Sequence, residues 1–159
     1  MGLRAEVAST YLALVETGNI RYVVHPAGAV GVPIISAGAV AAWVWAAYVE
    51  IVAAAAITDP SWLCGVSIHA AAVETHYGDL AVASGALGAE VDLAILPYAG
   101  GLPGVTALAT FETIQEPIYL PRPIKIIGTP RLAGRIRKST AASAAGVTCR
   151  AILGEAIGV

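Results

Sequence analysis

Charge is scarce in this chain. Only 13% of its 159 residues are charged, against about 25% in an ordinary soluble domain, and between Arg21 and Arg122 there is no lysine or arginine at all. That gap removes the basic flanks that orient a membrane span. Cysteine is almost as rare. Cys64 and Cys149 make neither a metal motif nor a disulfide framework, and each sits in an alternating apolar run as a small buried hydrophobe would. No serine occupies a nucleophile elbow, and no glycine-rich loop carries the lysine that cradles phosphates. The opening residues, with Arg4 and Glu6 and no continuous apolar stretch after them, do not read as a secretory signal.

Apolar surface is what the chain has in excess: 57% of its residues are hydrophobic. The uncharged run from Pro26 to Val49 is long enough to cross a bilayer, which takes about 20 residues. Gly28, Gly31, Pro33 and Gly38 interrupt its first half, and Glu50 follows where the sequence is most apolar. An unpaired carboxylate in hydrocarbon is costly, so the run reads as strands buried in a protein and no membrane partner is expected. So much apolar surface on a small chain marks contact surfaces, and an oligomer or an assembly-embedded subunit is the expectation. The net charge of −2 hides a polarity. Glu50, Asp59, Glu74, Asp79, Glu90, Asp92, Glu112 and Glu116 precede Arg122, Lys125, Arg131, Arg135, Arg137, Lys138 and Arg150, and the two sets can neutralise each other within one fold or between neighbours.

Strand-like runs recur every ten to fifteen residues, as in an all-β sandwich or barrel. They fall at Ile20–Val24, Val32–Ser36, Ala42–Ala54, Trp62–Ala70, Asp79–Ser84, Ala89–Leu96, Thr106–Thr113, Arg131–Lys138 and Val147–Leu153. Several alternate cleanly. Trp62, Cys64, Val66 and Ile68 share one predicted face, as do Val91, Leu93 and Ile95, and Trp43, Trp45, Val49 and Ile51. Leu132, Gly134 and Ile136 oppose Arg131, Arg135 and Arg137. ITDPS, HYGD, SGALG and YAGGLPG read as turns or loops. PIYLPRPIKI, with three prolines in its first seven residues, suits an edge strand or a corner, because proline cannot donate to a ladder. Arg4–Glu16 shows helical spacing, with Gly18-Asn19 as a stop. The expected fold is all-β, a two-sheet antiparallel sandwich, with an N-terminal arm or short helix over 1–40 that includes the first strands and a sandwich domain over 41–159.

Candidates for chemistry are few. Glu90 and Asp92 are two apart on one strand face, where carboxylates can converge; a solvent-facing acidic edge is the plainer reading. Glu74 and His76 supply two metal ligands and His25 and His69 no obvious third, so no metal or cofactor is expected. GRIRKST, with Arg131 before it, is the best anionic-partner candidate, yet it lacks neighbouring aromatic platforms for single-stranded nucleic acid. Arg131, Arg135, Arg137, Lys138, Glu90 and Asp92 therefore form the candidate protein-interface set, with no nucleic acid and no small-molecule substrate expected.

In order along the chain come W-x-x-Y-V-E-I-V-A-A and TDPSW (Trp45 to Trp62), GVSI, SGALGAEVDLAI, EPIYLPRPIKI, GTPRLAGRI and TCRAIL. This order, from about Ala42 to Leu153, resembles small jelly-roll-like β-sandwich proteins among the virion structural genes of tailed bacteriophages, head decoration or cement proteins included. The resemblance implies a non-enzymatic homotrimer on the outer capsid surface, made in the host cytoplasm, that clamps adjacent subunits of the major capsid protein shell. A tail, baseplate or host-attachment module on the same sandwich is the alternative, and a small membrane protein a more distant one. The first forty residues depart from the pattern.

Overall fold

A computed structural model of the protein describes residues 11–26, 34–36, 41–71, 76–100, 112–114, 117–128, 130–139 and 146–157. Within them a helix (α1) covers residues 11–16. The strands are β1 (Ile20–His25), β2 (Ile34–Ser36), β3 (Val49–Val52), β4 (Ser61–Ala71), β5 (His76–Ser84), β6 (Val91–Gly100), β7 (Glu112–Ile114), β8 (Ile118–Ile126), β9 (Leu132–Lys138) and β10 (Gly146–Ala156). One sheet runs β1-β10-β4-β7, with β2 beside β1 along β10 and β8 beside β7 along β4; the other runs β3-β9-β5-β6. Every pairing is antiparallel. Early strands pair with late ones in sequence: β1 and β2 with β10, β3 with β9, β4 with β7 and β8, β5 with β6. A long hairpin rolled up in this way is a jelly roll, and the all-β two-sheet sandwich expected from the sequence is what forms. The segment before residue 41 contributes β1 and β2 to the first sheet.

The sheets meet over one apolar core. Leu63, Val66, Ile68, Val147, Cys149, Ala151 and Leu153 face Ile51, Leu80, Val82, Leu96, Tyr98, Leu132 and Ile136 across it. Each fully buried aliphatic side chain contributes about 1.5–3 kcal/mol. The expected faces of β9 hold along its whole length, and on β10 Val147, Cys149, Ala151 and Leu153 all point into the core. Those of β4 and β6 do not, because each carries a bulge. On β4 the register to β10 shifts between Leu63 and Gly65, leaving Cys64 as the extra residue. Trp62 and Cys64 therefore point out of the sandwich while Val66 and Ile68 point in, so these four do not share a face. On β6 the shift falls between Ala94 and Asp92; Leu93 packs toward the core while Val91 and Ile95 stay exposed. One inserted residue reverses the phase of a period-2 pattern.

HYGD, read as a turn, lies within β5. Its glycine answers a close approach: a Cβ on Gly78 would overlap the Arg137 carbonyl oxygen and lie 2.7 Å from the Tyr98 ring. The predicted long strand Ala42–Ala54 shortens to β3. PIYLPRPIKI is an edge strand as expected, with the paired partner jumping from Tyr119 to Ile124 so that Pro121 and Pro123 need no ladder bond. Most of Thr106–Thr113 lies outside the described residues.

A second apolar cluster sits on the outer face of the first sheet. Trp62, Cys64 and Ile152 are covered by Tyr11 and Leu14 of α1 and by Ile20, with the Tyr11 ring edge-on to Trp62 at 5.5 Å. The helix ends at Gly18 (φ +71°), where Gly18 N–H bonds the Val15 carbonyl at 3.1 Å and Asn19 N–H the Leu14 carbonyl at 2.9 Å. These paired bonds define a Schellman stop. Cys64 in this outer layer and Cys149 in the sandwich core lie on opposite faces of the sheet, and both are free thiols. Among the described residues no helix is long and apolar enough to cross a membrane.

Candidate functional site

The outer face of the second sheet gathers most of the candidate residues. Arg135 and Arg137 alternate with the core-facing Gly134 and Ile136, so both point away from the core. Arg135 sits opposite Ala81, and Arg137 opposite Asp79, on β5. The Arg135 side chain reaches past β5 to Asp92 on β6, a 2.6 Å ion pair. Ala81 and Ala83 on the intervening strand are fully buried and too small to obstruct it. Arg137 pairs with Asp79 at 2.7 Å, and Arg131, just before β9, with Glu90. Glu90 and Asp92 thus each hold their own arginine and do not converge as an acid/base pair. Lys138 differs from its neighbours: it is fully buried on the core side of β9.

Over these arginines lies the segment that was expected to continue β3. Trp43 N–H donates to the Lys138 carbonyl at 2.7 Å and Ala46 N–H to the Ile136 carbonyl at 2.9 Å, and Val49 then pairs with Gly134. Three residues of this segment answer two of β9 at each step, so the ribbon is not a regular strand. The extra residues carry Trp43, Trp45 and Tyr48 onto the outer face. There the Trp45 ring takes Arg135 at 4.9 Å and Arg137 at 4.7 Å, Tyr48 takes Arg135 at 4.4 Å, and Trp43 takes Arg137 at 5.8 Å. The contacts form a strip in the order Trp43, Arg137, Trp45, Arg135, Tyr48. The Tyr48 hydroxyl donates to Asp92 at 2.7 Å; burial, helped by that bond, pushes its phenol up to about 12.

The strip is electrically closed yet partly greasy outside. Every arginine in it has a carboxylate, but Trp43, Val44, Tyr77 and Ile95 are about half exposed or more on the same face. Sequence reasoning found the arginines and two of their acids. It missed Trp43, Trp45, Tyr48 and Asp79, although W-x-W-x-x-Y ahead of R-x-R was a usable signal for stacked cations and rings. A shallow groove beside the strip is lined by Glu50, Ala54, Gly85, Ala86, Pro130 and Arg131. A third ion-paired group lies at the edge of the other sheet, where buried Glu155 accepts from Arg21 at 2.8 Å and lies 3.4 Å from His25 Nε2.

Among the described residues no three His, Cys, Asp or Glu side chains converge as a metal site. Glu74 and the side chains of His69 and His76 lie outside the described residues. No family model, curated protein or solved structure matches this chain.

Proposed function

We propose that this chain is a non-enzymatic structural subunit of a tailed-bacteriophage virion, a decoration protein that assembles as a homo-oligomer on the outer capsid surface and reinforces contacts between major capsid subunits. The observation that supports the reading is the character of the surface. The arginines on the outer side of the second sheet are neutralised within the chain while large apolar and aromatic side chains stay exposed: Trp43, Tyr77, Ile95, Tyr119 and Ile127. Such a surface costs little to desolvate and favours protein contacts. The jelly-roll order agrees with it, since this architecture builds viral capsid domains, although it also builds lectins and cupins and so carries no function alone. Reinforcement then comes from multiplicity, because linked copies engage a repeating lattice at high effective concentration.

Copy counting tests the reading. Quantitative mass spectrometry and electron cryo-microscopy of particles made by the genome that encodes the chain are expected to find it in shell-like numbers on the outside of the head. A handful of copies at the tail tip would move it to the attachment alternative, and its absence from particles would end the proposal.

A further inference from the structure

The aromatic strip is unfinished at one end. Trp45 has two guanidinium groups within stacking reach, whereas Trp43, the outermost ring, has Arg137 alone and is half exposed. Its backbone sits at φ +62°, a left-handed conformation that a bulky residue rarely adopts. The Lys138 carbonyl bond fixes it there, and such strain persists where position matters. The ring is therefore held out over the sheet beside exposed Val44, on the face that also carries exposed Tyr77 and Ile95. Asp79 and Asp92 there already hold Arg137 and Arg135, so what the face offers a further cation is the half-exposed Trp43 ring itself.

The chain carries the matching surface elsewhere. Arg122 and Lys125 on β8 are exposed, and no described carboxylate lies within ion-pair distance of either. They are flanked by Tyr119 and Ile127, among the most exposed apolar side chains described, at 65% and 84%. β8 edges the first sheet, alongside β4, while Trp43 lies over β9 in the second. The two surfaces therefore face away from each other and cannot meet within one copy.

We propose that the Trp43 face of one copy receives the β8 edge of a second, with Arg122 and Lys125 extending the aromatic and guanidinium strip across the contact. The contact is heterologous: each copy presents one face and one edge, so every subunit is both donor and acceptor. It deepens the reading above by naming the surfaces through which copies meet, and rests on its homo-oligomer part alone. Assembly is therefore measured on the isolated full-length chain without shells, and shell binding by the wild-type chain is scored separately.

The test is sedimentation velocity of the wild type, of Trp43→Ala and of the double variant Arg122→Glu, Lys125→Glu, each checked for a native near-ultraviolet spectrum. The wild type is expected to self-associate, and each variant to lose roughly tenfold or more in association constant. Trp43→Tyr, which keeps a ring, should retain most of it. Mixing is the sharper arm. Trp43→Ala keeps an intact edge and the double variant an intact face, so the mixture should form a one-to-one heterodimer that neither forms alone. Should Trp43→Ala not fold, Val44→Lys, which sets a like charge in the path of the incoming cations, takes its place. A wild type that stays monomeric at every concentration overturns the contact, as do variants that assemble like wild type or a mixture that remains monomeric.

Discussion

Replacing Arg135 by methionine isolates what holds the aromatic strip together. The variant keeps an unbranched apolar stem over Ala81 but removes the ion pair to Asp92 and the cation under Trp45 and Tyr48. Both partners of that pair are about three-quarters buried, with side chains 24% and 28% exposed, and the geometry is short, so about 1 kcal/mol is a fair share for it. Each guanidinium–ring contact, at 4.9 and 4.4 Å, adds about 0.5–1 kcal/mol. The sum is about 2–3 kcal/mol, which in a domain of this size lowers the melting temperature by roughly 5–10 °C. Arg135→Lys should recover the Coulombic share but little of the stacking, since an ammonium lacks the flat face. Urea titration of Arg135→Met, Trp45→Leu and the double variant should give a coupling energy of about 0.5–1.5 kcal/mol. A coupling indistinguishable from zero, or an Arg135→Met variant within about 0.5 kcal/mol of wild type, would show that ring and guanidinium merely lie side by side.

Gly78→Ala should destabilise by about 3 kcal/mol or more, seen as loss of soluble protein or a collapsed urea midpoint, because the new methyl meets the backbone oxygen of Arg137 and the Tyr98 ring. Gly134→Ala meets the terminal methyls of Ile35 and Ile51, 2.6 and 2.9 Å away, and of Leu80 at 3.4 Å, side-chain ends that can give way as a backbone oxygen cannot, and should cost clearly less; an equal cost would refute that ordering. Alkaline stability follows from the buried thiols and phenols. Burial raises the Cys149 and Cys64 thiols above their ordinary value of 9.0 and, together with the Asp79 charge, Tyr98 to about 12. The native state then holds protons that the unfolded chain has released, so the contribution of these groups to stability is constant below about pH 8.5 and falls above it. Cys149→Ala should flatten the fall between pH 9 and 10, measured by urea midpoints against pH; an unchanged slope would contradict the assignment. With both thiols buried and on opposite faces of one sheet, a thiol reagent should label neither until urea unfolds the chain and then label both. Rapid labelling of either in the native state would remove α1 or the core as its cover.

The strand inventory was legible because turn residues and apolar alternation repeat at sandwich spacing, and the prolines of β8 announced an edge. What stayed hidden has particular causes. The bulges at Cys64 and Leu93 carry no sequence mark, since an extra residue in a strand looks like any other, yet each reverses every face assignment beyond it. The glycine of HYGD looked like a turn residue but serves a strand crossing too close to the Tyr98 ring for a side chain. The acidic and basic halves of the chain were recognised as complementary, and three of the pairings fall within it. Which acid met which arginine could not be read, because Arg135 reaches over an intervening strand to find Asp92, and that depends on Ala81 and Ala83 being small.

The membrane-like character of the central sequence has the same origin. An ordinary antiparallel sandwich buries one face of each sheet and leaves the other polar. Here the outer faces are also partly covered, one by Tyr11 and Leu14 of α1 over Trp62, Cys64 and Ile152, the other by Trp43, Trp45 and Tyr48 over the arginines. Residues that would normally face water are then free to be alanine, cysteine or tryptophan, and hydropathy rises without lipid. Several of the charges left on those faces are paired at short range, as Arg135, Arg137 and Glu155 are. Removing either cover should therefore turn the protein from tractable to aggregating: Tyr11→Ser, which uncovers Trp62, is expected to shift tryptophan emission to the red and to raise dye binding. A variant with unchanged emission would mean that α1 does not shield the sheet.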